Sequence, residues 1–314
     1  MKAALIFDKN QACTTGWYVK KVLDSYGMDT EVFEPKEIET IYNYKPDFIL
    51  AVDSGAHYIA DIKIHPKILW LIDTHISYIC DEVMAKSFDL VFVAQKNDSE
   101  KLKRKIKNVY WLPLAADPEF HGKKDSVDEY DVALVGGFGH GRRKVIMEKL
   151  KELYPKSHIG PAECRKIGEI YSKSKIVVNR SIKNDLNMRV FEGLCSGSLV
   201  ITDEIKENGF EDIFGGRDVL ATYSSFGNLK DKIDYYLLHD EERLKIGNAG
   251  REFVLEGHTY KSRVDSIMTE MQKFKFDGTE PDFNRLNIEL RFKKVIWLIM
   301  RIIRRTIWRI QELA

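Results

Sequence analysis

The chain has 314 residues, with 49 basic and 48 acidic side chains for a net charge of +1, and is 44% hydrophobic and 31% charged. That length fits two domains of ordinary size, and the balance excludes a disordered chain. With no basic stripe interleaved with aromatics, it also argues against a nucleic-acid-binding body. The longest uninterrupted apolar run, Val295 to Met300, is far short of the roughly 20 residues a membrane-spanning helix needs.

Ala3 to Phe7 reads as a strand that starts almost at the N-terminus and leaves no room for a signal peptide. Val19, Val22, Leu23 and Tyr26 mark a helix ended by Gly27, and Thr30 to Phe33 is the next strand. Further strands are expected at Phe48–Val52, Ile68–Ile72, Leu90–Ala94 and Val109–Leu112. Strands at this rhythm with helices between them predict parallel βαβ units and a doubly wound sheet. After a charged stretch, His121 to Glu129, the pattern restarts. Asp131–Val135 is a strand, and Gly136 to Gly141 is a glycine-rich turn leading into a helix over Arg142–Leu153. Ile176–Val178, Leu199–Thr202 and Val219–Leu220 continue the second sheet, and Leu229 to Phe274 reads as three successive helices. The expected architecture is α/β, two Rossmann-like halves joined by a linker near Pro113 to Glu129.

The four cysteines, Cys13, Cys80, Cys164 and Cys195, form no CxxC pair and read as reduced thiols of a cytoplasmic protein. The eight histidines show no metal-ligand spacing, so no structural metal is expected.

The stretch from Asn187 to Asp203 carries the most chemistry. Met188, Phe191, Leu194 and Cys195 recur at helical spacing, Gly197 closes the helix, and Ser198 to Thr202 form a buried strand. Arg189 and Glu192 then lie one turn apart on one helix face. Arg189 offers a forked cation suited to phosphate, and Glu192 a carboxylate that can accept hydrogen bonds from ribose hydroxyls. By spacing alone the unit reads more readily as plain packing with a solvated Glu192.

This spelling resembles the donor-binding helix of GT-B glycosyltransferases, in particular the spore-maturation, CgeB-like branch. The resemblance extends over roughly residues 45 to 270 in patches. Trp70-Leu71-Ile72-Asp73 followed by Phe88-Asp89-Leu90-Val91-Phe92 looks like the family's acceptor-domain core, and Leu112 to Pro118 like its interdomain crossing. Arg251 and the run Gly257 to Arg263 are similar to its closing helices.

The resemblance implies a GT-B fold, two doubly wound domains facing a cleft, with boundaries read as 1–120 (acceptor), 121–275 (nucleotide-sugar) and 276–314 (tail). It implies a nucleotide-sugar donor and no cofactor or metal. Gly136 and Gly137 would allow close backbone approach, Arg142 and Arg143 would meet the diphosphate, and Gly160 would lie beside the nucleobase. Asn179, at a strand end, would face the cleft or simply turn the chain. Many retaining members carry two Glu separated by seven residues; Glu192 occupies the second position, and Asn184 stands at the first. Gly16 would lie on the acceptor side. Asp73 reads as a catalytic base or a helix cap, and His75 as a proton carrier or a loop histidine.

Residues 285–314 carry a net +6 and the remaining 284 a net −5. Phe292, Val295, Ile296, Ile299, Ile302, Ile303 and Ile310 fall on one helix face. Lys293, Lys294, Arg301, Arg304, Arg305 and Arg309 fall on the other, with Trp297 and Trp308 among them. Such a helix can lie on an anionic membrane, or pack on the body or on a second subunit. The expected function is transfer of a sugar to a hydroxyl of a cell-envelope or surface glycan, at the inner membrane face. The rivals are a nucleotide-sugar 2-epimerase and a non-catalytic nucleotide-sugar-binding protein.

Overall fold

Apolar strand runs and amphipathic helices alternate twice along the sequence, and each series closes into its own parallel sheet. The computed structural model describes residues 1–53, 55–125, 127–137 and 142–313, without the side chains of Arg142 and residues 304–313. The chain divides into two compact units, Met1–Pro113 with Val264–Ala314, and Leu114–Arg263.

The first unit runs β1 (Lys2–Ile6), α1 (Thr15–Ser25), β2 (Asp29–Phe33), α2 (Ile41–Tyr44), β3 (Phe48–Val52), β4 (Lys67–Leu71), α3 (Thr74–Ala85), β5 (Leu90–Val93), α4 (Lys96–Lys103) and β6 (Val109–Trp111). Its sheet has the order β2-β1-β3-β4-β5-β6 and is parallel throughout. Every residue of β3, β4 and β5 is buried, as expected of a parallel sheet covered on both faces, where no polar alternation survives. Lys67 is the polar exception; its Nζ donates to Ile62 O at 3.0 Å and pairs with Glu280 at 3.4 Å.

The second unit runs α5 (Pro118–His121), β7 (Tyr130–Val135), α6 (Arg142–Leu153), β8 (Ser157–Gly160), α7 (Ile167–Ser172), β9 (Ser174–Asn179), α8 (Met188–Cys195), β10 (Leu199–Asp203), α9 (Phe210–Phe214), β11 (Ala221–Tyr223), α10 (Phe226–Leu238) and α11 (Asp240–Gly257). Its sheet is parallel, in the order β11-β10-β9-β7-β8. The last strand forms at Ala221–Tyr223, not at Val219–Leu220, because Ile201 of β10 pairs with Ala221. The stretch read as a linker is folded. Asp117 caps α5 by accepting the amides of Glu119 (2.8 Å) and Phe120 (3.3 Å). Arg263 ties Gly257 O and Leu114 O together at 3.0 and 3.1 Å.

The chain then returns to the first unit through α12 (Tyr260–Lys273) and α13 (Phe283–Leu313). The units therefore divide at 113 and 263, where the sequence suggested 120 and 275. Nor does residue 276 open a separate tail. Leu286 and Leu290 of α13 are buried against Ile59, Cys80 and Val83, and Trp297 Nε1 donates to Ile76 O at 3.2 Å. Lys294 Nζ donates to His57 O at 2.7 Å, and Lys86 pairs with Glu289 at 2.8 Å. Trp297 thus packs on the body although the helix face assigned to it carries Lys293, Lys294 and Arg301. The apolar face drawn from the sequence is a different one: Phe292, Val295, Ile299, Ile302 and Ile303 are exposed and Ile296 is half-buried. Trp308, Arg304, Arg305, Arg309 and Ile310 have side chains outside the described set. Cys80 and Cys195 are buried thiols, whereas Cys13 and Cys164 are disulfide-bonded, which no spacing motif announced.

Candidate functional site

Open α/β sheets bind ligands at the carboxyl ends of the strands where the strand order reverses. In the second unit that point lies between β7 and β9. The chain leaves β7 through Gly136, at φ 143°, whose amide donates to Gly160 O at 2.9 Å. A β-carbon on Gly136 would lie 2.4 Å from Arg143 Nη2 and 3.6 Å from Arg189 Nε. Two guanidiniums thus converge on a glycine with no room for a side chain, while Gly137 beside it is open.

Arg143, on α6, reaches across the reversal. Its Nε donates to Gly137 O at 3.1 Å and its Nη1 to Arg180 O, after β9, at 3.4 Å. Nη2 is buried with no hydrogen-bond partner among the described residues. Burial, and then the Arg189 charge, lower its pKa. Among the described residues neither guanidinium is paired with a carboxylate. Two adjacent cations that share no anion repel each other, and an anion between them would relieve that repulsion.

Arg189 stands in the first turn of α8, whose N-cap Asn187 accepts the Arg189 amide at 3.2 Å. One turn on, Glu192 is 3% exposed, and its Oε1 lies 3.4 Å from Nε2 of the equally buried His121. Burial, and then the Glu192 charge, push the Tyr171 phenol up. Gly193 seats the helix on the sheet, since its β-carbon would lie 2.8 Å from Val200 and 3.1 Å from Val177. Arg189 and Glu192 therefore keep the shared face that their spacing predicts.

Other expected donor residues serve the framework. Asn179 is buried, donates to Thr202 Oγ1 at 2.9 Å and accepts the Tyr223 hydroxyl on its backbone oxygen at 3.2 Å. Asn184, at φ 66°, anchors a neighbouring loop: its Oδ1 accepts the Lys206 amide at 2.7 Å, and its Nδ2 donates to Lys206 O. Its amide thus lies along backbone, where a family carboxylate would face sugar. Gly160, at φ 148°, closes the turn beside Gly136. Arg142 opens α6, with its side chain outside the described residues.

In the first unit Asp73 takes the N-cap position of α3 without capping it, and is exposed; His75, half-buried, follows in the first turn. Asp53, beyond the sequence reading, holds this corner. Its carboxylate accepts the amides of Gly55 (2.8 Å), Ile72 (3.2 Å) and Asp73 (3.0 Å), which joins the ends of β3 and β4. Gly16 has a packing cause, since its β-carbon would lie 2.4 Å from the Phe7 ring. Asp203 also escaped the sequence reading. It accepts Arg180 Nη1 and the Ser181 amide, both at 2.7 Å, and so neutralises Arg180, unlike Arg143 and Arg189. The signal used for Asp73, an acid at a parallel strand's carboxyl end, applies to both Asp53 and Asp203. A cavity of about 510 Å³ lies elsewhere, at the amino ends of β4 to β6 beside Lys67, Leu90 and Tyr110, the wrong edge for such a site.

A family model described as glycosyl transferase-like matches residues 123–269. No curated protein sequence matches the chain. Among solved structures it is similar to sucrose-phosphate synthase from Thermosynechococcus elongatus, at 12% identity and TM-score 0.63 over 87% of this chain and 98% of that one. It is similar to Anabaena HepE, solved with UDP and glucose, at 12% identity and TM-score 0.62 over 87% and 100% of the two chains. T4 phage BGT, solved with UDP and Mn2+, gives 13% identity and TM-score 0.56 over 87% and 100%. Identities this low speak for the fold alone, and that fold is GT-B.

Proposed function

We propose that this glycosyltransferase moves a sugar from a nucleoside diphosphate donor to a hydroxyl of a cell-envelope or surface glycan, without a metal, as a CgeB-like member of its fold. The observation that carries the reading is the convergence of Arg143 and Arg189 on Gly136, at the strand reversal of the second unit. A diphosphate bound there gains charge-assisted hydrogen bonds from both guanidiniums and from the N-terminus of α8. Glu192 then accepts the ribose hydroxyls. In the transfer the bond from the sugar's anomeric carbon to the diphosphate breaks and a bond to the acceptor oxygen forms. The nucleoside diphosphate leaves with the electron pair, and Asp73 or His75 takes the acceptor's proton. UDP, the nucleotide in the HepE and T4 BGT complexes, is the first probe. Loss of a charge-assisted hydrogen bond costs about 1.5–3 kcal/mol, so Glu192→Ala should weaken UDP binding about tenfold or more by calorimetry. Unchanged affinity would remove Glu192 from the site.

The same reading puts the protein on the cytoplasmic face of an anionic membrane. Among the described residues no helix is long and apolar enough to cross one. On α13, Ile288, Phe292, Val295, Ile299 and Ile302 recur at helical spacing and are 69, 65, 57, 51 and 55% exposed. Arg291, Lys294 and Arg301 flank that stripe, and the opposite face is occupied by the packing of Leu286 and Leu290. Polybasic attraction is worth about 1 kcal/mol per charge near an anionic surface, and each buried apolar side chain adds about 1.5–3 kcal/mol. Phe292→Glu with Ile299→Glu should release the protein from vesicles containing phosphatidylserine and leave UDP binding unchanged. Vesicle binding that survives those changes would sink the membrane reading. So would a wild-type dimer that ignores vesicles, since a second copy would then cover the stripe.

A further inference from the structure

His121 ends α5, is 1% exposed, and turns Nε2 toward Glu192. Its other ring nitrogen is committed, because the Asp117 backbone amide donates to Nδ1 at 3.1 Å. A backbone amide can only donate, so Nδ1 carries the lone pair and the proton of the neutral ring sits on Nε2. That N–H faces Glu192 Oε1 at 3.4 Å.

We infer that His121 is a positioning residue for nucleotide recognition: its Nε2–H holds one oxygen of Glu192 and so aims the other at the ribose hydroxyls. This rests on the assignment of Glu192 to the ribose. A buried carboxylate without a donor turns toward one or takes up a proton, and either change loses the geometry that two neighbouring hydroxyls require. The His121 ring is held by its surroundings rather than by chance. A β-carbon on Gly168 of α7 would lie 1.9 Å from Phe120 O and 3.0 Å from His121 Cα, so the backbones of α5 and α7 are in contact there. Asp117 both caps α5 and donates to the ring, which fixes the residue's place and its tautomer together. The turn of α8 that carries Glu192 is seated on the sheet at the adjoining Gly193. The arrangement parallels a metal-bound histidine set by its outer hydrogen bond, with a carboxylate in the metal's place.

The test compares UDP, GDP and ADP with their 2′,3′-dideoxy counterparts on the full chain by calorimetry, with inorganic pyrophosphate as control. The wild type should prefer the ribose form of its nucleotide by about tenfold or more, and Glu192→Ala should erase that preference. His121→Asn keeps an acceptor for the Asp117 amide but has no donor that reaches Glu192. It should cut the preference about three- to tenfold and leave pyrophosphate affinity unchanged. His121→Gln returns an N–H near the Nε2 position and should restore it. If Glu192→Ala leaves the preference intact, the ribose assignment fails and this inference with it. If Glu192→Ala erases it while His121→Asn retains it, the inference about His121 alone falls. Equal loss in the Asn and Gln variants also overturns it, since a packing role would not tell them apart. Should the Asn variant not fold, a Gln variant without the preference overturns it as well.

Discussion

Asp73→Asn or His75→Ala is expected to slow sugar transfer by about 10² to 10⁴ while leaving UDP affinity within about twofold of wild type, the usual cost of removing a general base. The separation follows from the fold. Both residues sit at the carboxyl end of β4 in the first unit, and every assigned donor contact lies in the second. The two differ in environment. Asp73 is exposed and its backbone amide is held by Asp53, so the Asn variant should fold normally. His75 is half-buried in the first turn of α3, so the melting temperature of its variant must be checked. Single-turnover kinetics with a saturating donor isolates the chemical step. Wild-type rates in both variants would send the proton elsewhere, for example to the departing diphosphate.

The second large effect concerns the paired cations. Arg143→Gln and Arg189→Gln should each weaken UDP binding about 10- to 100-fold. Their double variant should lose less than the product, because both side chains hold the same diphosphate. UDP should still bind the wild type in excess EDTA. The melting temperature of the free protein should tell the two apart: Arg189→Gln removes a like charge beside Arg143 and should hold or raise it. Arg143→Gln gives up hydrogen bonds to Gly137 O and Arg180 O and should lower it. A double variant that binds UDP as tightly as wild type would overturn the diphosphate assignment, and loss of binding in EDTA would overturn metal independence.

Much of the fold could be read from period and punctuation. Phe48–Val52 and Arg142–Leu153 match their expected bounds because a wholly buried strand and an amphipathic helix leave strong, opposite patterns. Gly197 ends α8 at φ 79°, as a glycine after a helix is expected to do. The pairing of Arg189 with Glu192 was legible because helix geometry fixes it locally. Arg143 was also expected at the diphosphate, but its meeting with Arg189 at Gly136 was not legible: it stands 46 positions before Arg189, and only the strand order β9-β7 brings its helix alongside. Asn184 shows a related limit. Its alignment with a family carboxylate said nothing of the loop at Lys206, whose backbone its side chain bonds. The sequence also hid which apolar stripe of α13 packs. Phe283, Leu286, Leu290 and Trp297 pack on Ile59, Cys80 and Val83, although the isoleucine-rich stripe gives the stronger apolar pattern.

The division at residues 113 and 263 orders the birth of the molecule on the ribosome. The second unit is one unbroken segment, Leu114–Arg263, and has all its parts once that segment emerges. The first unit is assembled from segments on either side of the second. Its sheet is complete by Trp111, but Ile59, Cys80 and Val83 wait for Leu286 and Leu290, synthesised some 170 residues later. At about 5–20 residues per second, that leaves an apolar patch uncovered for roughly ten seconds or more, the interval in which chaperones compete with aggregation. A nascent chain of this design finishes its middle before its beginning.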